Sequence, residues 1–257
     1  MRPAMCRESW TARLTNSYRR VFAGMPRRRW CTPARRNFMR YARVIMMLIV
    51  LLAALSAWAL ESSRELSSVG SSKGETSLGD LVADAVLEAM KCDCAFLAAG
   101  SLREITIPKG NVTEEQVLSA LQYPNDRLAV IEITGEDLLR ALERSVSVYP
   151  QKSLGFLQVS GITFVCNPKA EVGKRVSAVK ISDKTVEPSA KYRIAMPEPL
   201  ARGGNGYFTV WGKTCIKEVS QVKIAEAVKR FLAGKQVLDY PGNNRIVIER
   251  GGDSAKS

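Results

Sequence analysis

Apolar and polar positions change rhythm three times along this chain. Residues 44–55 read VIMMLIVLLAAL, twelve apolar positions without a break, more than a strand needs and fewer than the roughly 20 that span a bilayer. Residues 60–73 are Ser-rich, polar and aperiodic, which predicts a flexible lead-in. From residue 74 the pattern becomes periodic. Leu78, Leu81, Val82, Ala85, Val86 and Ala89 follow i, i+3, i+4, i+7 spacing behind Thr76 and Ser77, the signature of a capped amphipathic helix. CAFLAA at residues 94–99 reads as a short buried strand. Thr113-Glu114-Glu115-Gln116 forms a capping box for a helix to Leu121. Residues 127–133 (RLAVIEI) predict a strand, after which Thr134 caps a helix carrying Leu138, Leu139, Leu142 and Val146.

The second half is built differently. Residues 155–165 alternate around Gly161, as a strand with a bulge would. Residues 175–181 and 191–195 read as strands joined by Asp- and Pro-containing turns. Then come a glycine-rich loop at 201–206, a strand at 207–211, an amphipathic helix at 219–232 and a last strand at 245–249. Helices early, strands late and hairpin-like connections predict an α+β fold, its sheet mixed and largely antiparallel with helices packed on it. Residues 74–250 form one domain in this reading, and 251–257 a disordered tail.

Charge changes the picture only at the N-terminus. The formal net charge is +13, but residues 1–43 hold twelve Arg and one acid, Glu8, leaving 26 basic against 24 acidic residues in the remainder. No basic footprint for nucleic acid survives that division. The Arg-rich stretch, the apolar run and Ser56-Ala57-Trp58-Ala59 together make residues 1–59 a basic leader and signal peptide, with the cut expected after Ala59 and export out of the cytosol, to the periplasm or medium. Retention as a membrane anchor is the alternative, since the run extends to Leu60 at 17 residues. Starting at Met39 would give an ordinary Sec signal, whereas Ala34-Arg35-Arg36-Asn37-Phe38-Met39-Arg40 resembles a twin-arginine motif.

There is no histidine in the chain. That argues against Ser-His-Asp and Cys-His triads, HExxH proteases and His-rich dimetal sites, leaving carboxylates, Lys or Cys for any chemistry. Cys92, Cys94, Cys166 and Cys215 follow the leader. One of the first two could pair with Cys166 or Cys215, a Cys92–Cys94 ring being strained, or all four could be buried thiols. One CxC and two solitary cysteines lack the spacing of a zinc ribbon. Asn111-Val112-Thr113 matches a glycosylation acceptor and also lies at a helix cap.

Five blocks occur in order: Glu75-Thr76-Ser77-Leu78-Gly79-Asp80-Leu81, Ala99-Gly100-Ser101-Leu102-Arg103, Leu121-Gln122-Tyr123-Pro124-Asn125, Leu157-Gln158-Val159-Ser160-Gly161 and Gly203-Gly204-Asn205-Gly206-Tyr207. In this ordered set the chain resembles the C-terminal, nucleotide-binding domain of 5′-nucleotidases. The resemblance implies a base clamped between aromatic rings at Tyr123 and Tyr207, a phosphate contact at Arg103, and close backbone approach at Gly203, Gly204, Asn205 and Gly206. It also marks departures. The family's Asn before the glycines is Ala98 here, a second phosphate Arg falls on Gly74, and Asn205 replaces an Asp.

The family's metallophosphoesterase domain has no counterpart in the sequence. The resemblance therefore implies no catalytic residue, no cofactor and no metal in this chain. Divalent metals are expected only on a separate metallophosphoesterase partner, with which an exported nucleoside- or nucleotide-binding module would serve nucleotide catabolism. The alternative is a structural or interaction protein of the same descent with no ligand.

Overall fold

The computed structural model describes residues 60–249 and, upstream of them, Met46. The chain divides into two units, Met1–Leu55 and Ser56–Ser257. The leader and signal segment (residues 1–59) and the tail (251–257) expected from the sequence lie outside the described residues, Met46 apart. Among the described residues no helix is long and apolar enough to cross a membrane.

A five-stranded sheet organises the second unit. Its order is β12 (Ile216–Lys223), β6 (Arg127–Thr134), β11 (Lys191–Pro197), β3 (Cys94–Ala98), β7 (Leu157–Ser160). All neighbours are antiparallel except β11 and β3. Side chains alternate across a strand, so the short apolar run of β3 feeds two cores. Cys94, Phe96 and Ala98 enter one, and Ala95 and Leu97 the other. On the first face lies α3 (Gly135–Val146), through Leu138, Leu142 and Val146. The second face is covered by α1 (Ser77–Met90) and α5 (Ile224–Ala233).

The first core is shared with a four-stranded sheet, ordered β10 (Lys184–Thr185), β9 (Val176–Ile181), β8 (Ile162–Cys166), β14 (Ile246–Ile248), in which only the β8–β14 pair is parallel. The α+β architecture, with a mixed and largely antiparallel sheet, is as expected. Local sequence chemistry explains the helix starts. Thr76 accepts from Gly79 N, Thr134 from Asp137 N, and Thr113 and Gln116 close a reciprocal box at α2 (Glu114–Ser119), each cap satisfying an otherwise orphan N–H.

Four expectations need correction. The lead-in at residues 60–73 is folded: β1 (Glu61–Ser62) pairs with β5 (Gly110–Asn111) and β13 (Val237–Leu238), and β2 (Leu66–Ser67) pairs with β4 (Thr106–Ile107). Ser62 and Ser68 are fully buried because their hydroxyls find backbone partners, so a polar composition did not make this stretch mobile. Residues 155–165 form two strands of two different sheets. At Gly161 φ is +75°, and a Cβ there would lie 2.7 Å from Asp93 O, so the chain turns at a position where only glycine fits. Residues 219–223 belong to β12, and the helix begins at Ile224. Residues 207–211 are not a strand. Tyr207 to Thr209 lie in a 3₁₀ segment.

Cys92, Cys94, Cys166 and Cys215 are free thiols. Cys94, Ile194, Ile131 and Ile216 stand in register across four strands. Three strand spacings, about 14 Å, therefore separate Cys94 from the neighbour of Cys215, twice the reach of a disulfide. Burial pushes the Cys166 thiol up to about 11, which keeps it protonated and unreactive at neutral pH.

Candidate functional site

Strand direction decides which loops meet. Since β3 and β11 run parallel to each other and antiparallel to β6 and β7, one end of the sheet collects four loops. They are the segments after Ala98 and Pro197 and those before Arg127 and Leu157. Three of the five ordered sequence blocks, at residues 99–103, 121–125 and 203–207, fall at this end.

The segments are stitched together by backbone bonds. Ala99 N donates to Phe156 O (2.8 Å) and Gly100 N to Leu154 O (2.9 Å). Arg103 N donates to Ala120 O (2.8 Å) and Gln122 N to Ser101 O (2.9 Å). Arg103 is exposed and its Nε donates to Gln122 Oε1 at 3.1 Å, which places the guanidinium beside the Tyr123 turn. Tyr123 is 54% exposed. Its carbonyl accepts from Asp126 N at 3.1 Å, closing the turn into β6. Arg127 and Arg202 both bind Glu198, at 2.9 and 2.6 Å. The hydrogen bond from Arg202, then that from Arg127, holds the Glu198 carboxyl below its usual range.

The glycine loop follows the four-residue helix α4 (Glu198–Ala201). Gly203 (φ +91°), Asn205 (+56°) and Gly206 (+86°) all adopt left-handed backbone, and a Cβ on Gly203 would sit 2.8 Å from the Phe208 Cα. Glycine tolerates this geometry and Asn is the next most tolerant residue. Gly204 approaches Pro199 O closely. Asn205 Oδ1 lies 3.4 Å from where a Gly100 Cβ would be, joining this loop to the Arg103 loop.

Here the structure corrects the reading of Tyr207. It is fully buried, its hydroxyl donates to Gly155 O (2.7 Å), and its ring stacks on Trp211 at 4.7 Å and 15°. Trp211 Nε1 in turn donates to Leu200 O (3.0 Å). Burial raises the Tyr207 hydroxyl pKa well above its ordinary value. The cause is the 3₁₀ winding, which turns neighbouring side chains about 120° apart: Tyr207 points into the core and Phe208, 74% exposed, points out. The exposed ring of this loop is Phe208, a residue sequence reasoning missed although the adjacent pair Tyr207-Phe208 was there to be read. Leu154, 66% exposed, was missed too.

The remaining departures also have places. Ala98 is fully buried, so it offers a ligand nothing, and Gly74 carries no side chain. Among the described residues no three His, Cys, Asp or Glu side chains gather in a way that could hold an ion. The end of the sheet therefore offers exposed rings at Tyr123 and Phe208, an apolar edge at Leu154, the guanidinium of Arg103 apart from those that Glu198 holds, and rigid backbone at Gly203–Gly206, a set suited to binding a planar ligand.

Known proteins resemble this chain in sequence and in fold. Residues 54–212 match the family described as 5'-nucleotidase, C-terminal domain. A 5'-nucleotidase of Vibrio vulnificus is 32% identical over 179 residues, 68% of this chain and 31% of the relative. The trifunctional nucleotide phosphoesterase YfkN of Bacillus subtilis is 33% identical over 142 residues, 52% of this chain and 10% of the relative. The chain thus spans less than a third of either. Among solved structures, a 5'-nucleotidase precursor from Thermus thermophilus superposes with a TM-score of 0.67 at 24% identity, over 82% of this chain and 43% of that one. The NAD nucleotidase of Haemophilus influenzae gives 0.64 at 17%, over 82% and 42%; both show the shared fold. With more than half its length matched, in the segment that builds the loop end of the sheet, the chain belongs to the 5'-nucleotidase C-terminal domain family.

Proposed function

We propose that this chain is an exported recognition module for a nucleoside or nucleotide, which supports nucleotide catabolism by working with a separate metallophosphoesterase. The observation that carries the reading is the pair of exposed rings, Tyr123 and Phe208, on loops held at one sheet end. Stacking on such rings contributes about 1–3 kcal/mol per base and accepts any base. Arg103 stands beside Tyr123 as the charge that reaches a phosphate. Relatives named as nucleotidases support the same reading.

Calorimetry of the full chain with adenosine and AMP tests it. Both ligands are expected to bind within about tenfold of each other, roughly 1.4 kcal/mol, since only Arg103 answers the phosphate. Tyr123→Ala should abolish measurable binding, and Arg103→Ala should weaken AMP while sparing adenosine. Without added partner, divalent metals should elicit no release of phosphate from AMP. Absence of binding by either ligand at millimolar concentration would favour the competing reading, an interaction protein, which draws on the burial of Tyr207 and the loss of polar contacts at Gly74 and Ala98.

A further inference from the structure

Helix α3 also borders a cavity of about 590 Å³, a size common among small-molecule sites. Glu136, Leu139, Arg140, Glu143 and Arg144 all line it, and their i, i+3, i+4, i+7 spacing sets them along one side of the helix. The rest of the lining includes Val176 at the start of β9 and Thr209 and Val210 where the 3₁₀ segment ends. Leu139, Val176 and Val210 are partly buried and packed on the first core, which fixes an apolar surface inside the cavity. None of Arg103, Tyr123 and Phe208 lines it.

The charged groups of this cavity are unequally matched. Arg140 donates to Asp137 Oδ1 (2.8 Å) and to Thr209 O (3.2 Å), and Lys174 donates to Glu171 Oε2 (2.9 Å). Both cations thus have a carboxylate of their own. Arg144 is held by neutral partners: it donates to Ser147 Oγ (3.2 Å) and Asn205 O (3.4 Å), and its guanidinium lies 6.0 Å from the centre of the Tyr207 ring. A Cβ on Gly206 would overlap its Nη2, so the glycine loop leaves room for that head group. Glu143 is the complement. Its Oε1 accepts from Val176 N at 2.7 Å, while Oε2 is shielded from solvent and has no hydrogen-bond partner among the described residues. An unmet buried acceptor of this kind is costly, and a ligand N–H would complete it. The other lining carboxylate, Glu136, is exposed.

Consecutive residues of one helix therefore present a guanidinium without a carboxylate and a carboxylate oxygen without a donor, beside hydrocarbon. A phosphate dianion would be repelled by Glu143, and a simple amine would leave Arg144 unmet. A zwitterion with an apolar body answers all three features. We propose that this cavity is a second ligand site, for a free α-amino acid with an aromatic or long aliphatic side chain. Its ammonium donates to Glu143 Oε2, its carboxylate accepts from Arg144, and its side chain lies against Leu139, Val176 and Val210. The proposal is independent of the base-stacking reading.

Calorimetry of the full chain with phenylalanine, phenylpropionate and phenethylamine separates these contacts. Phenylalanine should bind, and the two probes that lack one charged group should each bind about tenfold weaker or less. Glu143→Gln, which keeps an acceptor for Val176 N and removes the charge, should weaken phenylalanine by a similar factor while leaving phenylpropionate unchanged. The comparison among the three probes needs no variant, so it decides the matter whether or not Glu143→Gln folds. Saturating adenosine should leave phenylalanine binding in place. Equal binding of the three probes, no binding of phenylalanine at millimolar concentration, or its displacement by adenosine would each overturn the proposal.

Discussion

The two ends of the five-stranded sheet differ in what their side chains do. At the end where β3 and β11 begin, backbone packs on backbone. Asp93 N donates to Arg193 O at 3.0 Å, Asp93 Oδ2 accepts from Arg193 N at 2.7 Å, and Gly161 leaves no room for a side chain against Asp93 O. At the other end backbone bonds again join the loops, but inward side chains fill the space beneath them, Tyr207 and Trp211 above all, while Tyr123, Leu154 and Phe208 stand out in solvent. The lesson is a division of labour between neighbours. Within the Tyr207-Phe208 pair one ring builds the loop and the next is left for a ligand.

Substitutions can break that comparison. Tyr207→Ala should cost the most, about 3–5 kcal/mol as for other buried aromatics, read as a lowered urea midpoint. If the variant is as stable as the parent, Tyr207 does not build the loop. At the closed end Gly161→Ala should cost about 1–3 kcal/mol, because it combines a left-handed φ with a Cβ pressed on a carbonyl. It should leave adenosine binding unchanged, and a loss of binding would show the two ends to be coupled.

A pH profile sharpens the contrast, since the helix serving the loop end carries a buried acid. Asp80 in α1 is 1% exposed, and burial pushes it up to about 9 against the lowering pull of Arg245. Neither of its carboxylate oxygens has a donor partner, and Glu75 next to it is taken by the backbone N–H groups of Asn244, Arg245 and Ile246. A protonated Asp80 resolves this by donating to Glu75. The folded chain then holds a proton that the unfolded chain releases above the ordinary aspartate value of 3.8. Stability from this group is full below that value and declines as pH rises toward 9, by up to about 1.4 kcal/mol per pH unit. Asp80→Asn, which keeps a donor, should flatten that slope in unfolding measurements from pH 5 to 9. An unchanged slope would show that Asp80 does not hold the proton.

The smallest change in stability belongs to Phe208→Ala, within about 0.5 kcal/mol for so exposed a side chain. Binding of adenosine should nonetheless disappear. Retained affinity would move the stack elsewhere.

Much of this was legible in the sequence wherever a local rule dominates. The caps at Thr76, Thr113 and Thr134 and the two-faced β3 follow from the nearest few residues. The ordered blocks single out Arg103 and Tyr123, whose loops meet at one end of the sheet. What escaped was decided at long range. Polar residues 60–73 fold because partners 35 or more positions away accept their hydroxyls, as Arg103 O does for Ser68 and Leu238 O for Ser63. Val219 reads as helix but completes β12 against Ala129. The inward turn of Tyr207 depends on four successive left-handed or glycine positions, 203 to 206, whose effect on the following ring no periodicity records.

The Tyr207–Trp211 stack has a practical consequence for optics. Between residues 60 and 257 Trp211 is the single tryptophan, since the other three, Trp10, Trp30 and Trp58, lie upstream. Its indole lies against the ring that anchors the glycine loop and donates into α4. A chain cut after Ala59 would thus carry one intrinsic fluorophore, set one layer beneath the loop end of the sheet. A ligand settling on Phe208 would shift its emission, giving a label-free signal from the native protein.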